Sequence, residues 1–217
     1  MKTLKYILLG VILSSLVFSS FSIYPTKKSF TQSGSVAFCE TYSQQEVISK
    51  LDPDEDFFTW IQIENTDPES SKIGTCSEAD FKLLWNYIQS ETFRAKVQED
   101  LIIAMGVEGE DKMVPLYAIR KSASNDVFPG QQDVHEVSVR KSDHVENYEL
   151  LLSFSESGAK KWASMTRLNK GKDIAILFNG TVLAAPRVQE EIMNGKCVIS
   201  GQFTESEMKQ LKTVLEN

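Results

Sequence analysis

The dipeptide Asn179-Gly180 is the strongest local constraint on the fold of this chain. It lies between two short apolar runs, DIAILF and TVLAAP. Asn-Gly is the preferred pair for a two-residue turn in which both residues adopt positive φ angles. The two runs are therefore predicted to pair as a β-hairpin. Pro186 has no amide N–H to donate, so it is predicted to end the second strand or to lie at its edge.

The segments around this hairpin predict the fold class. Strand-like runs at MVPLYAIRK, VHEVSVR and YELLLSF precede a helix that starts at Ser155 or Ser157. A short helix at RVQEEIMNG, a strand at KCVISG and a last helix follow the hairpin. Thr204 and Glu207 form a capping box for that last helix. Strand runs broken by helices predict an α+β fold, with a mainly antiparallel sheet and helices packed on one face.

The first half of the chain has weaker signals. The run FFTWIQI, from Phe57 to Ile63, is predicted as a strand because it is rich in aromatic and β-branched residues. Ser77 precedes Asp80 by three residues and predicts the start of a helix. That helix carries an apolar stripe at the helical period, namely Phe81, Leu84, Trp85 and Ile88. ETFRAKVQEDLIIAM predicts a further helix that passes into a strand.

The N-terminus has the pattern of an export signal. Lys2 and Lys5 precede an uncharged, mainly apolar stretch from Tyr6 to Tyr24. This stretch is close to the roughly 20 residues that cross a bilayer. We predict a signal peptide or a single transmembrane anchor over residues 1–24, and we favour the uncleaved anchor. The rest of the chain is predicted to lie outside the cytoplasm, anchored in a membrane by residues 6–24 or released after cleavage.

Three further parts are predicted after this segment. PTKKSFTQSGSVAF has Pro, Ser and Gly without periodicity, which is typical of a linker. Residues 25–50 are assigned to the linker and the start of an N-terminal region. Residues 51–112 are assigned to an N-terminal α+β region, and residues 113–217 to a second α+β domain.

Composition and motifs exclude several functions. The net charge of -7 and the lack of a basic stripe argue against nucleic acid as a partner. His135 and His144 do not have the spacing of a zinc site. No phosphate-binding glycine loop and no Gly-x-Ser-x-Gly motif is found. No cofactor, metal or catalytic residue is therefore predicted.

One acidic cluster keeps an enzyme alternative open. LDPDEDF groups Asp52, Asp54, Glu55 and Asp56. Phe57 and Ile63 stand where a calcium loop needs its Gly and Glu, so the calcium motif fails. A solvated acidic turn is the preferred interpretation. A carboxylate-dependent enzyme stays the least favoured hypothesis.

The chain has three cysteines, Cys39, Cys76 and Cys197. Cys39 and Cys76 lie in polar, loop-like contexts and are the candidates for a disulfide in an oxidising compartment. Cys197, in KCVIS, is predicted to be a buried strand residue. The alternative of three unpaired thiols stays open.

The C-terminal half resembles a known family. The stretch GAKKWASMTRLNKGKDIAILFNGTVLAAPRVQEEIMNGKCVISGQFTESEMKQL is similar to the head subdomain of the first periplasmic domain of SecD and SecDF, which are protein-export components. IGTCSEADFKLLWNYI and VPLYAIRK are more faintly similar to the head insertion of SecD proteins with long first periplasmic domains. The matching signature residues, whose role is expected to be structural, are Gly158, Thr166, Asn169, Gly180, Pro186, Gly195, Gly201, Phe203 and Thr204.

The resemblance implies a membrane-anchored, extracytoplasmic binding module. Its expected partners are unfolded or emerging secreted polypeptides, or components of the Sec translocon. SecD-type proteins also carry a transmembrane bundle whose charged residues couple the proton gradient to export. The apolar segment here contains no charge, so no proton-driven motor is expected of it. The alternative is an envelope interaction or structural protein that reuses the head fold.

Overall fold

The computed structural model describes residues 34–51, 55–63, 67–97, 99–109, 111–121, 127–143 and 146–216. The predicted signal or anchor segment, residues 1–24, lies outside the described residues, and so does His144. Among the helices in the described ranges, none has both the length and the apolar character needed to cross a bilayer.

The described chain contains nine strands, six α-helices and a 3-10 turn at Gln131–Asp133. The strands are β1 (Val36–Glu40), β2 (Lys72–Ser77), β3 (Leu101–Met105), β4 (Met113–Arg120), β5 (Val134–Lys141), β6 (Tyr148–Phe154), β7 (Ile174–Phe178), β8 (Thr181–Ala184) and β9 (Lys196–Ile199). The helices are α1 (Gln44–Lys50), α2 (Glu55–Thr59), α3 (Glu78–Ile88), α4 (Glu91–Lys96), α5 (Glu156–Leu168) and α6 (Glu205–Leu215).

The strands form three antiparallel sheets of three strands each. Sheet A has the order β1-β7-β8, sheet B the order β2-β4-β3, and sheet C the order β5-β6-β9. The predicted α+β class is confirmed. The main sheet expected from the sequence is divided into these three smaller sheets.

Sheet B and helices α1 to α4 share one apolar core. Helix α3 starts after Ser77, whose side chain accepts a hydrogen bond from the amide of Asp80, as predicted. The buried face of α3 consists of Phe81, Leu84 and Ile88. Their contact with the sheet is what stabilises a helix of only eleven residues.

The predicted strand from Phe57 to Ile63 is wrong. Residues Glu55–Thr59 form α2, and only Gln62 pairs as a strand would, through two backbone bonds to Thr75. Phe57 is fully buried, and its ring stacks on that of Phe93 with 5.3 Å between centroids. Packing of aromatic rings in the core has overridden the β-propensity of the run.

A second core lies between sheet A, sheet C, α5 and α6. Phe38 of β1 meets Trp162 of α5 edge to face, with ring centroids 5.4 Å apart. The fully buried side chains of this core include Leu150, Leu152, Met165, Ile174, Ile176, Ile199, Met208 and Leu211. Together they fix α5 and α6 against the two sheets.

Two strands pair with segments that are distant along the chain. β1, within the predicted part 25–50, pairs with β7 along its full length. β4, at the start of the predicted part 113–217, lies between β2 and β3. A small third core between sheets A and B contains Ala104, Ile119, Ala175, Leu177 and Val182. The two halves of the chain are therefore in direct apolar contact.

The predicted short helix at RVQEEIMNG is absent. Arg187 instead forms a strand-like bridge with Asp173, and the amide of Ile192 donates to Oγ1 of Thr166 at 3.0 Å. These bonds satisfy the backbone without helical turns. The segment runs along α5, so that Gly195 comes to lie against Ala159.

Candidate functional site

The hairpin predicted at Asn179-Gly180 joins β7 to β8. Asn179 has φ 48 and Gly180 has φ 81, which are the positive angles that a two-residue turn needs. The Asn179 side chain also accepts from the amide of Ser35 at 3.0 Å, and the Asn179 amide donates to the Ser35 carbonyl at 3.1 Å. The turn is thereby tied to the residues that lead into β1.

The signature residues of α5 pack and hydrogen-bond within the fold. A Cβ on Gly158 would lie 2.7 Å from Cβ of Asp133, so only glycine permits this approach. Thr166 is fully buried, and its Oγ1 donates to the carbonyl of Trp162 at 2.9 Å. Asn169 donates to the carbonyl of Met165, at 2.9 Å, and so closes the helix.

The signature residues beyond the hairpin also shape the backbone. Gly195 has φ 62, and a Cβ there would come within 2.7 Å of Cβ of Ala159. The carbonyl of Pro186 accepts a hydrogen bond from the amide of Ile174 at 3.1 Å. The remaining signature residues are Gly201, which packs on the ring of buried Phe203, and Thr204, which caps α6 with Glu207. In the described structure, the contacts given above for these signature residues are turns, caps and close packing.

A polar cluster joins the two halves of the chain, and we call it the junction cluster. It comprises Thr41, Asp67, Ser71, Asp173 and Arg187. The Asp173 carboxylate, 5% exposed, accepts from Arg187 Nε at 2.6 Å and from the amide of Ser71 at 2.7 Å. Arg187 also reaches Asp67 at 3.0 Å, and Thr41 Oγ1 donates to the Asp173 carbonyl at 2.8 Å. Hydrogen bonding to Asp173 raises the pKa of Arg187, so the guanidinium stays charged.

A cleft of about 360 Å³ lies beside the junction cluster. Its wall is polar and contains Thr41, Ser43, Gln45, Glu46, Ser49, Glu69, Lys172 and Asp173. Glu46 is already used to cap α1, since it accepts from the amide of Ser43 at 2.8 Å. Ligand pockets are mostly apolar with a few convergent polar groups. No hydrophobic or aromatic residue of the described chain lines this cleft, and we assign no ligand to it.

The candidate chemical groups do not assemble into a reactive site in the described part of the chain. Asp52 and Asp54 lie outside the described residues, and of Glu55 and Asp56 only the backbone is described, as the first residues of α2. His135 is exposed on β5. Among the residues that the structure describes, no three His, Cys, Asp or Glu side chains are placed to hold a metal ion.

All three cysteines are free thiols on strands. Cys39 lies on β1 and Cys76 on β2, in different sheets, so the loop contexts expected for them are wrong. Cys197 is buried on β9, as predicted. Burial raises the pKa of Cys39 and of Cys76 to about 11, and that of Cys197 to about 12. Thiols held in the protonated state are poor nucleophiles.

Comparison with known proteins finds a family and individual proteins to which this chain is similar. Residues 118–217 match the family described as SecDF, P1 head subdomain. The chain is 46% identical over 66 residues to the protein translocase subunit SecD of Acidaminococcus fermentans, which is 30% of this chain and 16% of that protein. It is 32% identical over 159 residues to SecD of Calditerrivibrio nitroreducens, which is 69% of this chain and 30% of that protein.

A solved structure of the membrane component SecDF aligns at lower similarity. It is 19% identical, with a TM-score of 0.45, over 85% of this chain and 62% of that chain. A likeness of this size carries no argument of its own.

These findings confirm the resemblance predicted from the sequence. Over residues 118–217 the chain is similar to the SecD and SecDF family, in the head subdomain of the region called P1. The match of 159 residues is longer than this segment, so similarity to SecD also extends into the N-terminal half. The chain spans 16% to 30% of the length of the two relatives given above.

Proposed function

We propose that this protein is an extracytoplasmic binding module of protein export. Its head subdomain contacts unfolded or emerging secreted polypeptides, or components of the Sec translocon. The observation that carries the proposal is the match of residues 118–217 to the SecDF P1 head. The two relatives given above are named as protein translocase subunits.

Binding accounts for the site better than catalysis does. The signature residues are used in turns, caps and close contacts, and burial raises the pKa of each thiol. The junction cluster and the small core around Ile119 join sheets A and B. These contacts support a stiff platform that presents surfaces to another chain.

The proposed location follows from the family and from the N-terminal sequence. The apolar stretch from Tyr6 to Tyr24 would hold the module at the periplasmic face of the inner membrane, or would direct its release there. In either case the head would meet polypeptides after they leave the translocon.

Site-specific photo-crosslinking in cells tests this function. A photoreactive residue is placed at Met193 or Leu168, which are 78% and 62% exposed on the head, and, for comparison, at Leu83, which is 56% exposed on α3. Crosslinks from the head positions to secreted preproteins or to Sec subunits are expected. A complete lack of such crosslinks would overturn the proposal. One stable envelope partner, without any Sec component, would instead support the alternative of an envelope interaction protein.

A further inference from the structure

We propose that the open edge of β5 binds an extended polypeptide segment, which adds a strand to sheet C. This inference rests on the proposed function and gives it a site. Strand addition uses the backbone of the incoming chain for most of its hydrogen bonds.

The hydrogen bonds of β6 fix which edge of β5 is open. On the β9 side, Tyr148 donates to the carbonyl of Phe203 and Phe154 donates to the carbonyl of Gly195, both at 2.9 Å. Backbone groups of successive strand residues point alternately to the two neighbours. Even-numbered residues of β6 therefore bond towards β9, and odd-numbered residues bond towards β5.

The register then assigns the groups of β5. Glu149 is opposite Arg140 and Leu151 is opposite Ser138, so these are the hydrogen-bonded pairs. Their neighbours Val137, Val139 and Lys141 point N–H and C=O away from β6. Within the described ranges, β6 is the only strand that pairs with β5. An open edge of this kind is a template for another strand.

Helix α6 packs on the core side of sheet C, where Met208 and Leu211 share a core with Val137 of β5. Its start follows Phe203, whose carbonyl accepts from the amide of Tyr148 at 2.9 Å, and its last turn lies near Gln131, whose Nε2 donates to the carbonyl of Leu215 at 3.0 Å. The helix thus runs antiparallel to β5 along the length of the strand. An added strand would extend sheet C next to β5, with its inward side chains on the same side of the sheet as α6.

The apolar layer is incomplete at the edge. Val137 and Val139 both face the core, but Val137 is 3% exposed whereas Val139 is only partly buried. Inward side chains of an added strand would cover Val139. The opposite face of β5 carries Glu136, Ser138 and Arg140, which are exposed. That face would leave the outward side chains of the added strand in water.

These features define the occupant as an unfolded chain with small or β-branched apolar residues at alternate positions. Recognition through the backbone tolerates many sequences, which suits a protein that meets different secreted polypeptides. The usable edge is short. A bulge between Val134 and Glu136 disturbs one end, and Lys141, paired with Glu146 at 2.7 Å, places a charge at the other. Bulges and lysines of this kind protect an edge from unlimited pairing.

The test measures fluorescence anisotropy with a labelled, soluble peptide of alternating valine and threonine. A second peptide, N-methylated at two adjacent central residues, has both of its edges blocked. Val139→Pro removes the outward amide while the bonds of Ser138 and Arg140 to β6 remain, and Pro is tolerated at edges where the N–H faces solvent. Val139→Ala loses the same side-chain contacts but keeps the amide.

We expect Val139→Pro to weaken peptide binding by about tenfold or more, and Val139→Ala to change it by less than about threefold. The N-methylated peptide should not bind the natural protein, a result that does not depend on how any variant folds. Cooperative thermal unfolding of both variants confirms that they are folded.

Three results would show that the edge of β5 is not the binding site for polypeptides. None of the three would by itself overturn the proposed function. Equal binding of the two peptides would leave polypeptide binding intact but place it elsewhere. Crosslinking to preproteins without any peptide binding would do the same. Dimerisation that Val139→Pro abolishes and that the peptide does not compete with would make a second copy the occupant. Loss of both crosslinks and peptide binding would end the proposed function as well.

Discussion

Arg187 and Asp173 form an ion pair at the boundary between the two halves of the chain. Arg187 Nε lies 2.6 Å from Asp173 Oδ1, and the carboxylate is 5% exposed while the guanidinium is 28% exposed. The same guanidinium reaches Asp67, which is 48% exposed, at 3.0 Å. One arginine therefore has a buried and a half-exposed partner, and the two can be compared directly.

Asp173→Ala should lower the free energy of unfolding by about 2–4 kcal/mol. The substitution leaves the amide of Ser71 and the buried side of Arg187 without their acceptor. Asp67→Ala is the matched control and should cost less than about 1 kcal/mol, because an exposed ion pair is screened by water. Urea unfolding measures both. Equal costs would mean that burial of Asp173 adds nothing to the junction.

Two glycines with positive φ angles should respond differently to alanine. Gly171 has φ 79 with open space around its Cβ position, so Gly171→Ala should cost only the backbone strain of about 1–2 kcal/mol. At Gly195, φ is 62, and a Cβ added there would lie 2.7 Å from Cβ of Ala159. Gly195→Ala should therefore cost a further 1–3 kcal/mol, approximately, through overpacking. Thermal unfolding of the two variants checks the order, and a larger loss at Gly171 would contradict it.

Thr204→Ala should destabilise α6 by about 0.5–2 kcal/mol. Thr204 accepts from the amide of Glu207 at 3.3 Å, and Glu207 accepts from the amide of Thr204 at 2.7 Å, which completes the capping box. Thr213→Ala, on the exposed side of the same helix, should change stability by no more than about 0.5 kcal/mol. Chemical denaturation of both variants is the measurement. A neutral Thr204→Ala would show that the helix does not need its cap.

Stability should decline as the pH rises above 9. Burial raises the pKa of Cys197 from 9.0 to about 12, and that of Cys39 and of Cys76 to about 11. Above pH 9 the unfolded chain releases thiol protons that the folded chain keeps, so the free energy of unfolding falls as the pH increases. Below pH 9 both states hold these protons, and the thiols add no slope.

Cys197→Ala provides the control for this pH dependence. Between pH 9 and 11, the free energy of unfolding of this variant should fall less steeply with pH, by about 1.4 kcal/mol per pH unit. The reason is that unfolding of the variant releases one proton fewer. The curves are measured by urea unfolding under a reductant. An unchanged slope would show that Cys197 does not keep its proton in the folded protein.

Elements with a strong local signal were predictable from the sequence. Asn179-Gly180 specifies its turn through the φ angles of two adjacent residues. The starts of α3, α5 and α6 are specified by side chains that cap the next turn, at Ser77, Ser155 and Thr204. In each case the deciding interaction spans three residues or fewer, so the sequence pattern contains it.

Elements decided by distant contacts were not predictable. Phe57 lies in a helix because its ring packs on Phe93 and beneath the rest of the core, and Arg187 leaves the helical path to pair with Asp173 and Asp67. The edge of β5 is a similar case. VHEVSVR was predicted as a strand, but which of its backbone groups stay unpaired depends on the register with β6.

The pairing of β1 with β7 has a consequence for how the molecule is made. Val36 pairs with Phe178, and Thr41 forms a β-bridge with Ile119. Both pairings join residues that are far apart in the sequence. During synthesis or secretion from the N-terminus, β1 emerges early but meets its neighbour only after most of the chain has followed. Contacts this distant in sequence slow folding. A fragment cut to residues 118–217 would retain the family signature yet leave the flank of β7 bare, so the natural unit for expression includes Val36.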